Sequence, residues 1–205
     1  MYGTDLCGPS FWDSSQVPVT EKEAMNQFSD VLQKTAFIDR DGTLIEEVNF
    51  LSKVEDLRIF PHTNEALALL RESGYRIFVV TNQSGIGRGI YTEDDMHRIH
   101  RVMAETLQGL IDGYFFCPHL PDAGCLCRKP RTGMLESAAG GFAVDRERSW
   151  MIGDKQLDID TGINAGIRTA LVKTGYGTKT AMGQGRQADV VGEDLLDAVR
   201  QILGS

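Results

Sequence analysis

No run of lysine or arginine occurs anywhere in the 205 residues, and the formal charge is −8, from 29 acidic against 21 basic residues. A surface built for nucleic acid or anionic membrane is therefore not indicated, and any anionic substrate must be met by cations gathered locally. No apolar stretch approaches the roughly 18 residues of a membrane span, and the first residues have neither a basic start nor an apolar signal core. The expected compartment is the cytoplasm, with no membrane partner. Cysteine is scarce too: of four, Cys7 stands alone while Cys117, Cys125 and Cys127 crowd together with His119. That distribution argues against a disulfide framework and for metal ligation in a reducing compartment. There is no internal repeat, no low-complexity tract and no Ser-His-Asp arrangement.

What is present is a core. With 41% hydrophobic residues, a chain of this length supports one domain of ordinary size. Residues 1–33 read as an N-terminal extension, with Thr20-Glu21-Lys22-Glu23 as a capping box opening a helix. From residue 34 to 205 the chain reads as a single domain in which apolar runs and helical patterns alternate. The pattern predicts strands over 35–39, 75–81, 113–117, 149–153, 168–173 and 188–191. Helices are predicted over 63–73, 92–110, 133–140, 156–165 and 193–203. Alternation of this kind implies an α/β fold, a doubly wound parallel sheet with helices on both faces. Ile77-Phe78-Val79-Val80 and Trp150-Met151-Ile152 are unbroken apolar runs, as strands covered on both sides require.

Polar residues gather where these strands end. Asp39-Arg40-Asp41-Gly42-Thr43 follows directly on Ala36-Phe37-Ile38, putting two carboxylates at a strand end, where open α/β sheets bind ligands. Thr81-Asn82-Gln83 follows the second strand and offers hydrogen bonds to phosphate oxygens. Arg128-Lys129-Pro130 follows the third with adjacent cations, and Gly153-Asp154-Lys155 follows the fourth, with Asp154 placed as a magnesium ligand. Taken in this order, the four stretches resemble the motifs of haloacid dehalogenase superfamily phosphatases over residues 35–175. The resemblance implies Asp39 as the nucleophile that becomes an aspartyl phosphate, and Asp41 as acid to the leaving oxygen and then base to water. It implies Mg2+ held by Asp39, the Asp41 carbonyl and Asp154, with Thr81 and Lys129 gripping the transferring oxygens. Asp158 is left with two roles: a contact near the metal, or a partner for Lys155.

Cys117-Pro118-His119 and, five residues on, Cys125-Leu126-Cys127 bring three thiolates and an imidazole within reach of one tetrahedral Zn2+. Such a centre in loop 117–127 would aim Arg128 and Lys129 without touching substrate. Within the superfamily this loop narrows the resemblance to the D,D-heptose 1,7-bisphosphate phosphatases and the related histidinol-phosphate phosphatases. Residues 81–89, 128–135, 153–155 and 173–177 resemble the heptose group, whereas the short spacing from His119 to Cys125 resembles the histidinol group, and Glu47-Val48-Asn49-Phe50 departs from a pattern of some heptose enzymes. The resemblance implies release of the C7 phosphate of a heptose bisphosphate to leave heptose 1-phosphate, with histidinol phosphate as the alternative substrate.

A bisphosphate needs cations away from the reacting phosphorus. Arg88 within Gly85-x-Gly87-x-Gly89, Arg128 and Lys155 can supply them, with Asn82 also at the substrate. The glycine spacing does not match a dinucleotide loop. No large cap domain separates the motifs, so a monomer with an open cleft is expected, its selectivity set by loops 44–56, 82–91 and 118–129. His97 and His100 are expected at solvated positions on one helix, and His62 beside a helix start. A non-catalytic binding module and a zinc-dependent nucleic-acid binder are the competing classes; the intact Asp39/Asp41 pair opposes the first and the charge opposes the second.

Overall fold

Buried on both faces, the unbroken apolar runs pair into one parallel sheet. The computed structural model describes residues 32–204, so the helix predicted from Thr20 and nearly all of the 1–33 extension lie outside the described residues. In chain order the elements are β1 (Thr35–Ile38), α1 (Thr63–Glu72), β2 (Arg76–Asn82), α2 (Ser84–Gly87), α3 (Glu93–Thr106), β3 (Gly113–Cys117) and α4 (Gly133–Ala138). They continue as β4 (Trp150–Gly153), α5 (Gln156–Ala165), β5 (Arg168–Val172), α6 (Gly177–Ala181), β6 (Val190–Gly192) and α7 (Leu195–Gly204). The strand order is β3-β2-β1-β4-β5-β6, every pair parallel. The order reverses between β1 and β4. At such a switch point the loops leaving the two strands diverge and open a crevice at their carboxyl ends.

Alternate side chains of each strand serve opposite faces. Ile38, Ile77, Val79, Ile152 and Val172 pack with Leu67 and Leu70 of α1, Ile99 and Met103 of α3, and Val199 and Ile202 of α7. Phe37, Phe78, Val80 and Met151 face the other way, against Met134, Leu135 and Ala138 of α4. Helix α3 starts where the sequence predicts, because Thr92 Oγ1 accepts from the Asp95 N–H at 3.2 Å while Asp95 Oδ2 accepts from the Thr92 N–H at 2.8 Å. Reciprocal capping of this kind is worth about 1 kcal/mol. The helix stops short of the predicted residue 110, since Gln108 and Gly109 take φ of 54° and 68°, which no right-handed helix accommodates. Among the described residues, no helix is long and apolar enough to cross a membrane.

Candidate active site

Three carboxylates converge at the switch point. Asp39 leaves β1, Asp154 leaves β4 and Asp158 sits one turn into α5; each offers an oxygen within 4.8 Å of the others. All three are buried, Asp154 completely. Lys129 is buried with them, its Nζ 2.9 Å from Asp39 Oδ1 and 2.6 Å from Asp158 Oδ1. Asp158 Oδ2 also accepts from the backbone N–H of Lys155 at 3.0 Å, so the side chain serves Lys129 and caps α5 rather than pairing with the Lys155 ammonium. That ammonium instead meets Glu47 at 2.8 Å, lies 3.5 Å from Asp154 Oδ1 and sits 5.0 Å from the centre of the Tyr176 ring.

Charge in this cluster is uneven. Burial pushes the Asp39 carboxyl up, but Lys129 and then Lys155 overcome it and hold the group below the usual carboxylate value. Asp39 is thus an anion bonded to the Lys129 ammonium and further stabilised by the charge of Lys155. Asp154 fares differently: burial, then the charge of Asp39, pushes its carboxyl up to about 7. Its Oδ2 accepts from the Tyr176 N–H at 2.8 Å, while its Oδ1 is buried without a hydrogen bond, the Lys155 ammonium standing 3.5 Å away and out of bonding geometry. A buried anionic oxygen with no donor is costly unless a cation meets it. Three acidic oxygens in this arrangement fit a hard divalent ion such as Mg2+, which takes oxygen ligands and few carboxylates.

Two glycines make that packing possible. Gly42 (φ +84°) and Gly175 (φ +53°) close over Asp154 so tightly that a Cβ on either would strike the carboxylate. Both backbones also occupy the left-handed region, which side chains disfavour. Thr174 Oγ1 donates to the Gly42 carbonyl at 2.6 Å and ties the two loops together.

Asp41 stands apart from the trio, in a network of its own. Arg40 turns back along the chain, its Nη2 2.9 Å from Asp41 Oδ1 and its Nε 3.1 Å from Oδ2. Gln83 Nε2 donates to Asp41 Oδ2 and to Thr81 Oγ1, each at 2.8 Å. The Thr81 hydroxyl accepts from Gln83 and itself donates to Asp41 Oδ2 at 3.5 Å. Asn82 bonds both backbone groups of Lys129, accepting from its N–H at 3.1 Å and donating to its carbonyl at 3.3 Å. Its contact in this structure is with Lys129.

The Cys/His loop closes on itself. Sγ of Cys117, Cys125 and Cys127 and Nδ1 of His119 lie within 4.8 Å of one another. Cys117 Sγ is 3.5 Å from His119 Nδ1 and 3.6 Å from Cys125 Sγ, and Cys127 Sγ is 3.3 Å from His119 Nδ1. These separations match the edges of a tetrahedron drawn around Zn2+ with bonds of about 2.1–2.3 Å. Burial pushes the Cys117 thiol up to about 11, a cost that a bound cation reverses by stabilising the thiolate. Arg128 Nη1 donates to the His119 carbonyl at 3.2 Å, tying the loop to the cation that follows it. A cleft of about 320 Å3 lined by Arg128, Lys129, Pro130 and Leu157 opens beside the loop. A second, of about 430 Å3, is lined by Lys155, Tyr176 and Lys179.

A family model described as HAD-hydrolase-like matches residues 126–198. A D-glycero-D-manno-heptose-1,7-bisphosphate 7-phosphatase of Thermosynechococcus vestitus is 38% identical over 183 residues, covering 81% of this chain and 93% of its own. The chain belongs to the haloacid dehalogenase family of phosphatases. The phosphatase is also 40% identical over 157 residues to the D-glycero-alpha-D-manno-heptose-1,7-bisphosphate 7-phosphatase of Photorhabdus laumondii, covering 71% of this chain and 85% of that one. Among solved structures it is similar to a D,D-heptose 1,7-bisphosphate phosphatase from B. bronchiseptica complexed with magnesium and phosphate. The TM-score there is 0.77 at 33% identity, over 84% of this chain and 99% of the other.

Sequence reasoning misplaces two of the histidines of the phosphatase, His97 and His100. His100 is not solvated: it is 6% exposed, stacks on Tyr114 at 4.7 Å and meets Arg40 Nη1 at 3.2 Å. His97 is half-buried against the edge of Phe116. Position on α3 alone could not reveal this, because the partner of His100 lies 60 residues away in sequence. His62 pairs with Asp194 at 3.6 Å beside the start of α1. Arg88 is exposed just after α2.

Proposed function

We propose that the phosphatase removes a phosphate from a small phosphorylated sugar, with Asp39 attacking phosphorus and Asp41 moving the proton. One observation carries this reading above the rest: Asp39 is held anionic at the switch point, beside Lys129 and an Asp154 oxygen that has no donor. A nucleophile must be ionised and a phosphoryl group needs cations around it. Asp39, the Asp41 carbonyl and Asp154 would hold Mg2+, which would shield the nucleophile from the phosphate charge. Thr81, whose hydroxyl makes only a long hydrogen bond to Asp41 Oδ2, and Lys129 would hold the transferring oxygens, while Asn82 steadies Lys129. Cys117, His119, Cys125 and Cys127 would hold Zn2+ and fix the approach of Arg128.

The substrate we infer is D-glycero-D-manno-heptose 1,7-bisphosphate, cleaved at C7 to heptose 1-phosphate. The names of the relatives support this choice, as do the two clefts, one lined by Arg128 and one by Lys155 and Lys179. A molecule with two phosphates calls for cations beyond those at the reacting centre, and Arg88 at the rim adds a third group. We place the enzyme in the cytoplasm, where reduction keeps thiols available to zinc.

The test compares kcat/KM for heptose bisphosphate, fructose bisphosphate and histidinol phosphate in the presence of Mg2+. The heptose compound should lead by at least about tenfold, or 1.4 kcal/mol of barrier; a lead for histidinol phosphate reverses the assignment. Asp39→Asn should be inactive on all three, and residual turnover at the wild-type rate rejects the covalent route.

A further inference from the structure

Arg40 lies between the two aspartates of the first motif, yet it is 1% exposed and faces neither solvent nor the acidic trio. Four of its N–H groups are used: Nε and Nη2 on Asp41, Nη2 again on Gln83 Oε1 at 3.0 Å, and Nη1 on His100 Nε2. Gln83 is saturated as well. Its Nε2 donates to Asp41 and Thr81, and its Oε1 accepts from Arg40 and from the Tyr91 hydroxyl at 2.5 Å. Turning the amide over would set its oxygen against a carboxylate and its NH2 against a guanidinium, so only one orientation fits. Burial keeps His100 well below the usual imidazole value and lifts the Tyr91 hydroxyl to about 12. The imidazole is therefore a neutral acceptor and the phenol a permanent donor. Space for the phenol comes from Gly85, where a Cβ would overlap the Tyr91 ring.

We propose that Arg40 and Gln83, buttressed by His100 and Tyr91, are positioning residues that fix the Asp41 carboxyl for proton transfer to the leaving oxygen. This deepens the reading above and rests on Asp41 being the acid. Asp41 Oδ2 accepts from Arg40 Nε, Gln83 Nε2 and, at 3.5 Å, the Thr81 hydroxyl, whereas Oδ1 accepts only from Arg40 Nη2. Oδ1 is thus the oxygen left to carry the proton. As the Asp39 oxygen bonds to phosphorus and the bridging P–O bond breaks, the proton on Oδ1 passes to the bridging oxygen and the alcohol departs neutral. In the second step the oxygen of water bonds to phosphorus, one of its protons returns to Asp41, and the acyl phosphate bond breaks to free the Asp39 carboxylate. A buried clamp removes the conformational search that a free carboxyl would make before each transfer.

The role predicts dependence on the leaving group. An alkoxide leaves poorly and needs the proton; dinitrophenolate leaves without one. The experiment measures kcat/KM, which reports steps through the first phosphoryl transfer, for an alkyl phosphate and for 2,4-dinitrophenyl phosphate. Wild type, Gln83→Met and Tyr91→Phe are compared, with melting temperatures taken alongside. Gln83→Met should lose about thirtyfold on the alkyl phosphate and under about threefold on the dinitrophenyl ester. Tyr91→Phe, which removes only one hydroxyl, should show the same selectivity at about threefold. An equal loss on both substrates marks a merely structural role, and no loss on either removes the network from catalysis; both overturn the proposal. Asp39→Asn keeps the two levels apart, because turnover in that variant defeats the covalent reading itself, whereas a flat leaving-group response with an inactive Asp39→Asn defeats only the positioning role.

Discussion

Lys129 is the single ammonium between two buried carboxylates, Asp39 and Asp158. Burial opposes its charge, yet Asp158 and Asp39 raise its affinity for the proton above the ordinary lysine value. Removing one member of a buried charged cluster leaves the others uncompensated, at a cost of about 3–5 kcal/mol. Lys129→Met should therefore lower the melting temperature by about 10 °C and abolish turnover. Adding Asp158→Asn should recover part of the stability without the activity. A single variant that melts with wild type would mean that the cluster holds no net charge. The position of Lys129 was readable from sequence because it follows a strand and precedes Pro130, and Asp39 and Asp154 were readable for the same kind of reason. The clamp on Asp41 was not. Its members come from the turn after β1, the stretch between β2 and α3, and α3 itself, and only the folded sheet places Gln83 and His100 against Arg40.

Elements whose signal is local were legible, and those made by tertiary contacts were not. The six strands emerged within two residues because the central parallel strands, buried on both sides, must be apolar throughout, and the edge strands β3 and β6 still carry short apolar runs. Helices α2 and α6 were missed: α2 contains Gly85 and Gly87, poor helix formers, and is braced from outside by the Gly87 N–H donating to the Pro118 carbonyl at 3.0 Å. The same bond joins α2 to the Cys/His loop, so that loop supports more than Arg128. Few apolar contacts hold it, since Leu120, Pro121, Asp122, Ala123 and Leu126 are all exposed. Zn2+ held by its Cys/His cluster would add to that order. Stripping Zn2+ with a chelator, then restoring Mg2+, should lower the melting temperature and raise KM several-fold with a smaller change in kcat. Verified zinc removal that leaves both melting and kinetics unaltered would deny the loop its positional role.

On the scale of the whole molecule, the site works against the stability of the fold that carries it. Asp154 has an ordinary value of 3.8 and is lifted to about 7 by burial and by Asp39. For a carboxyl raised in the folded state, protonation favours folding, so the penalty is absent below pH 3.8, grows as pH rises from there and is complete above about 7. At one pKa unit per 1.36 kcal/mol, that penalty amounts to about 4 kcal/mol for the metal-free protein above neutrality. Replacing the carboxylate by its neutral isostere removes most of it. Metal-free Asp154→Asn should consequently melt about 10 °C above metal-free wild type at pH 8, and the gap should narrow as the pH is lowered toward 5. Saturating Mg2+ should narrow that gap, because an ion bound at about 100 times its Kd adds about 2.7 kcal/mol to the native state only where its ligand is intact, which offsets most of the penalty. Melting curves for the two proteins at pH 5 and pH 8, with and without Mg2+, test all three statements together. If the variant is the less stable protein at pH 8 without metal, then Asp154 is not held as a strained anion, and the argument that its buried oxygen awaits a cation fails with it.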